Sequence, residues 1–87
     1  MDGRKKILII DDDKLVCSSI ANVARSLGYD SAQAFTLEEG LDAVRSAPYD
    51  VVFLDVRMPD GNGIDILPQV CRNSGSPEVI VITAYGD

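Results

Sequence analysis

The sequence contains no histidine among its 87 residues. That removes the commonest general base and every Ser-His or Cys-His nucleophile arrangement. It also removes Cys/His zinc sites, and the two cysteines, Cys17 and Cys71, lie too far apart to form a CxxC pair. Both fall in helical patterns and are read as reduced core thiols. Basic residues are scarce, 8 Lys and Arg against 14 Asp and Glu, for a formal net charge of −6. The one basic cluster, Arg4-Lys5-Lys6, is short. Nucleic-acid binding by this segment is therefore not expected, because phosphate contacts require clustered cations. No apolar run approaches the ~20 residues of a membrane span. The run 7–10 is shorter than a signal-peptide core, and aspartates follow it in place of a small-residue cleavage site. A cytoplasmic protein without membrane contact is expected, and its chemistry must rest on carboxylates, hydroxyls, backbone groups or a metal.

What is present alternates. Residues 6–10 are continuously apolar after Lys6, as in a strand buried on both faces. Leu15, Val16, Ile20, Val23, Ala24 and Leu27 have helical spacing over 14–27, and Gly28 follows as a natural stop. A weaker strand spans 30–35. Thr36-Leu37-Glu38-Glu39 is a capping box that opens a helix ended by Pro48, with Gly40 inside it at a cost of about 1 kcal/mol relative to Ala. Residues 50–54 form the next apolar strand, and 55–61 are expected to be a loop. A third helix starts at Asn62-Gly63, with Ile64, Leu67, Val70 and Cys71 on one face. Pro68 inside it should remove a hydrogen bond to the Ile64 carbonyl and bend the helix, an interior cost of about 3 kcal/mol. After a loop at 73–77, residues 78–82 read as a further strongly buried strand.

The order βαβαβαβ predicts an α/β fold with a parallel sheet, right-handed crossovers and helices on both faces. Ligands of such folds bind outside the carboxyl ends of the strands. Asp11, Asp12, Asp55 and Thr83 all fall at predicted carboxyl ends and can converge on one crevice. Clustered carboxylates repel one another, and either protonation or a hard cation relieves the repulsion. Oxygen-only ligands favour Mg²⁺ or Mn²⁺ over zinc. A carboxylate beside such an ion can attack phosphorus and form an aspartyl phosphate. The Thr83 hydroxyl and the backbone N–H groups of Val56 and Ala84 are the expected cradle for the phosphoryl oxygens. The bland alternatives are weaker. Helix-start charge explains Asp13, assigned here to capping, but not an acid at a second strand end. A turn-forming role for Asp55 leaves Asp11 and Asp12 unexplained.

Three segments carry a resemblance: Ile7-Leu8-Ile9-Ile10-Asp11-Asp12-Asp13, then Val52-Phe53-Leu54-Asp55-Val56-Arg57-Met58-Pro59-Asp60-Gly61-Asn62-Gly63, then Val81-Ile82-Thr83-Ala84. In residue type and order they resemble the receiver domain of bacterial two-component response regulators, across the whole chain. The resemblance implies a flavodoxin-like doubly wound sheet, with Asp55 as phosphoacceptor and Thr83 as the switch hydroxyl. It implies Mg²⁺ ligation by Asp12, Asp55 and the backbone carbonyl of Arg57, with Asp11 contributing directly or through water. It implies a phosphohistidine on a sensor histidine kinase or phosphotransfer protein as donor, and an effector domain or downstream partner as output. The protein would then be a switch and not an enzyme with a separate substrate.

The chain departs from the family's (βα)₅ pattern. Residues 1–87 read as one receiver domain that stops after the fourth predicted strand, without the family's last α-β-α elements, its lysine or its switch aromatic. The alternative is therefore a phosphorylation-incompetent receiver acting as an interaction or self-association module, paired through the strand at 79–82. A Mg²⁺-dependent phosphohydrolase with an aspartyl nucleophile is less favoured, because position 57 is Arg57 and not a second acid.

Overall fold

The computed structural model describes residues 4–72 and 76–83. Strand β1 (Lys6–Ile10) leads into helix α1 (Lys14–Ser26), strand β2 (Asp30–Ala34), helix α2 (Leu37–Ser46) and strand β3 (Val51–Asp55). Two short strands, β4 (Arg57–Met58) and β5 (Gly61–Asn62), then precede a 3-10 turn (Gly63–Ile66), helix α3 (Leu67–Arg72) and strand β6 (Glu78–Ile82). The main sheet has the order β2-β1-β3-β6, and all its pairs are parallel. This is the expected flavodoxin-like α/β arrangement. Among the described residues, no helix is long and apolar enough to cross a membrane.

β1 alternates between two cores because successive side chains of a strand point to opposite faces. Leu8 and Ile10 join Ala34, Leu37, Val44, Val52, Leu54, Met58, Ile66 and Val70 on the face covered by α2 and α3. Ile7 and Ile9 join Cys17, Ala21 and Ala24 under α1. Helix ends follow local chemistry. Asp13 caps α1, its carboxylate accepting from the N–H groups of Leu15 and Val16 at 2.9 and 3.3 Å. Gly28, at φ +82°, carries the chain out of α1 in a conformation that costs glycine little. α2 stops at Ser46 and Ala47 is extended, since a residue before proline avoids the helical region. Gly40 brings α2 close to β1: a Cβ there would lie 2.6 Å from Ile10 Cδ1, so the Ile10 side chain would have to shift.

Four expectations change. The segment 55–61 is not simply a loop, because β4 and β5 form a two-residue antiparallel ladder, Arg57 opposite Asn62 and Met58 opposite Gly61. Pro68 does not kink a continuous helix. It is the second residue of α3, where its missing N–H is not needed. The Ile64 carbonyl instead accepts from the Leu67 N–H, so the chain runs as a 3-10 turn up to the proline and turns α-helical there. Cys17 is fully buried, but Cys71 is exposed and is not a core thiol; α3 is short and directs Val70, one residue earlier, into the core. Finally, β6 is not strongly buried: Ile80 and Val81 are 47% and 40% exposed. Among the described residues β6 is a sheet edge, bonded only to β3.

Candidate functional site

The site is set by strand register. Ile10 pairs with Leu54 and Asp55 with Ile82. β1 and β3 therefore end side by side, and each releases an acid at its carboxyl end. Oxygens of Asp11, Asp12 and Asp55 all lie within 4.8 Å of one another. Asp11 and Asp55 are buried, 4% and 7% exposed, whereas Asp12 is exposed. Such crowding in a low-dielectric rim favours either a proton or a cation.

Asp11 registers that crowding. Burial is the main cause that pushes its carboxyl above the ordinary value, and the negative charges of Asp55 and Asp12 add to it. The N–H of Asp13, donated to Asp11 Oδ1 at 2.9 Å, works in the opposite direction. Below it, Cys17 Sγ donates to the Asp11 carbonyl oxygen at 3.2 Å. Burial, followed by the Asp11 charge, pushes that thiol up to about 11, so Cys17 is a packed thiol and not a nucleophile. The ammonium of Lys14 lies 5.5 Å from the centre of the Phe35 ring. Among the described residues, ion pairs join Arg4 to Asp30 and Arg45 to Asp42, and none reaches the three acids.

The donor set fits a hard divalent cation: three carboxylates, two of them buried, and among the described residues no ion pair supplies a counter-charge. Arg57 is exposed and begins β4. Its N–H points to Asp55 Oδ1 at 3.4 Å, the long limit of such a bond. Thr83 is exposed, one residue beyond the Ile82 that pairs with Asp55. Ala84 lies outside the described residues. The expected contribution of Val56 is corrected: its N–H donates to the Ile82 carbonyl at 3.1 Å, extending the β3–β6 ladder. The N–H that faces the Asp55 carboxylate belongs to Arg57. An acid whose side chain accepts from the N–H two residues on is an ordinary turn pattern, and that signal was available at Asp55.

Gly63 is the second constraint on the loop. A Cβ there would run into the Asp55 carbonyl oxygen, and the Gly63 N–H donates to the Val56 carbonyl at 2.7 Å. Asn62 caps the following turn by accepting from Ile64 N–H at 2.8 Å. Asp60, at the hairpin tip, accepts from the N–H groups of Leu37 and Glu38 at 2.9 and 3.1 Å. This long-range link was not legible as a motif. Its signal lay in α2, where a capping box leaves first-turn N–H groups without partners.

A doubly wound parallel sheet with an acidic cluster at the carboxyl ends of its two central strands defines a receiver-type module. The chain belongs to the response regulator receiver domain family, whose model matches residues 7–87. It is 36% identical over 84 residues to the DNA-binding response regulator MtrA of Mycolicibacterium smegmatis, covering 97% of this chain and 36% of the relative. The chain thus spans about a third of that relative's length. Its fold matches a CheY-like response regulator receiver domain protein from Methanospirillum hungatei JF-1 with a TM-score of 0.89 and 27% identity, over 98% of this chain and 68% of that one. It also matches the response regulator TrrA from Thermotoga maritima in complex with Mg²⁺-BeF, with a TM-score of 0.83 and 29% identity, over 94% and 71% of the two chains.

Proposed function

We propose that this receiver domain accepts a phosphoryl group on Asp55 from a phosphohistidine of a sensor kinase or phosphotransfer protein. The observation that carries this is the acidic cluster itself, three carboxylates within 4.8 Å with no cationic side chain of the described residues to neutralise them. Asp11, Asp12, Asp55 and the Arg57 carbonyl would hold Mg²⁺ or Mn²⁺. The bound ion supplies charge neutralisation on the phosphoryl oxygens. The Mg²⁺-BeF complex of the TrrA relative supports the same assignment here.

The transfer is a displacement at phosphorus. An Asp55 carboxylate oxygen forms the new O–P bond as the donor's N–P bond breaks. The electron pair of that bond returns to the imidazole nitrogen, which takes a proton from solvent. Arg57 N–H, aimed at the Asp55 carboxylate, donates to the new phosphoryl oxygens, and the Thr83 hydroxyl is a second donor to them. The module turns over no separate substrate. Its output is a changed surface read by an effector domain or partner in the cytoplasm. The mycobacterial relative is a DNA-binding regulator, but the net charge of −6 assigns no DNA contact to the present segment.

The test is incubation with Mg²⁺ and a small acyl-phosphate donor, followed by intact mass measurement. One phosphoryl adduct is expected, lost in Asp55→Asn and in the presence of a chelator. Absence of any adduct in the unsubstituted chain refutes the proposal.

Among the described residues β6 is an edge strand with Ile80 and Val81 exposed, and this favours a second role, self-association. Unpaired apolar edges template pairing with another chain. Sedimentation of the 87-residue chain should show concentration-dependent dimerisation that Val81→Lys suppresses. A compact monomer throughout the micromolar range rules it out.

A further inference from the structure

The first three N–H groups of α2 have no helical partner, and side chains satisfy all three. Glu39 N–H donates to Thr36 Oγ1 at 3.0 Å, the local cap. The Leu37 and Glu38 N–H groups both donate to Asp60, which lies beyond β3 in the loop that follows the phosphoacceptor. Asp60 therefore places a negative charge at the positive end of α2 and ties that helix to the loop.

The loop between Asp60 and the site is short and stiff. Pro59 has a fixed φ, and Met58 is buried in the core shared with Leu37. Arg57 comes next, paired with Asn62 across the β4–β5 ladder. Its carbonyl is the proposed metal ligand and its N–H faces Asp55. Gly61 brings the other side of the hairpin against the helix: a Cβ there would sit 3.3 Å from Leu37 Cδ1.

We infer that Asp60 is a positioning residue for the metal and phosphoryl site, holding the Arg57 backbone in place by clamping the β4–β5 hairpin to the first turn of α2. The inference rests on the phosphoacceptor reading. It assigns Asp60 no contact with metal or phosphoryl group. Its effect passes through the peptide units of 57–60, as supporting groups of a metal site act through the ligands they orient.

The experiment compares Asp60→Ala, Asp60→Asn and Thr36→Ala with the unsubstituted chain, measuring Mg²⁺ affinity by calorimetry and melting temperature on the same samples. Thr36→Ala is the control: it removes a cap from the same helix end without touching the loop. Asp60→Ala is expected to weaken Mg²⁺ binding about tenfold or more. Asp60→Asn, which keeps one acceptor oxygen, should fall between it and the unsubstituted chain. Thr36→Ala should lower the melting temperature yet leave the affinity within about twofold. If Asp60→Ala does not fold, Asp60→Asn decides. Equal Mg²⁺ affinity in the unsubstituted chain and the Asp60 variants overturns the inference alone. So does an equal loss of affinity in Thr36→Ala, which would make the effect one of helix stability. An unsubstituted chain that takes up no Mg²⁺ overturns the phosphoacceptor reading and the inference with it.

Discussion

The two faces of the sheet are built from the same strands and end up different. One is covered by α2 and α3 and holds ten buried residues, including Met58 and Ile66 from the segment after Asp55. Among the described residues, the other carries α1 alone and holds five. Beside α1 lies an apolar groove of about 450 Å³, lined by Ile20, Val23, Leu27, Phe53 and Ile80 among others. The candidate site stands at the boundary but is anchored to the first face. Its loop inserts Met58 and Ile66 into the denser core, and Asp60 reaches across to α2. A pocket that must hold several oxygens in fixed positions gains from attachment to packed elements. Among the described residues, the opposite face leaves apolar surface exposed.

The comparison breaks most sharply at Gly63. A methyl group there collides with the Asp55 backbone carbonyl, and relief requires moving β3 or the loop. Gly63→Ala should cost about 3 kcal/mol or more, the upper range for overpacking, and should abolish Mg²⁺ uptake where the chain still folds. Denaturant unfolding and metal titration of the same sample check both. A variant with unchanged stability and binding would mean that the loop is not held against β3 as described.

A paired substitution measures the difference between the faces. Val70 on α3 is fully buried, whereas Val23 on α1 is 60% exposed. Val70→Ala should cost about 2 kcal/mol, between the usual losses for one methyl group and for a full Leu side chain. Val23→Ala should stay within about 0.5 kcal/mol. Similar losses at the two positions would show that α1 is covered in solution, as by a second copy of the chain, and repeating the measurement across concentrations separates the two cases.

Most of the layout was legible because its signals are local. Continuous apolar runs marked the central strands, Thr36 and Asp13 marked two helix starts, and the acids after β1 and β3 marked the rim. What was not legible depends on what lies across the fold. The strand at 78–82, like β1, is one charged residue followed by four aliphatic ones, and its position at the edge of the sheet of described residues exposes it. Pro68 reads as a helix breaker until the preceding 3-10 turn supplies a different donor to Ile64. Cys71 follows the helical pattern on paper, but neighbouring helix residues point about 100° apart, and Val70 takes the core-facing position while Cys71 is exposed. Within the site, residue types identified Asp11, Asp12 and Asp55. That the Val56 N–H is taken by the Ile82 carbonyl required the register of β6.

The smallest expected effect lies in the acid limb of stability, and it isolates the link between loop and helix. The Asp60 carboxyl is held below its ordinary value, first by the Leu37 N–H and then by the Glu38 N–H. Glu38 and Glu39 share that helix end, with Glu39 accepting from Phe35 N–H at 2.8 Å. A carboxyl depressed in the folded state binds protons more weakly there than in the unfolded chain. Its contribution is therefore complete above the unfolded value, about 3.9 for aspartate, and is lost as pH falls through the lower folded value. Asp60→Asn should lower the melting temperature slightly at neutral pH and narrow its gap to the unsubstituted chain as pH drops below about 4. Because Asp60 is solvent-exposed, added salt should also narrow the gap at neutral pH by screening its attraction to the α2 N-terminus. Thr36→Ala removes an uncharged cap and should shift the curve by the same amount at every pH. A gap at Asp60→Asn that stays constant into acid would mean that the ionised carboxylate is not what holds the hairpin to the helix.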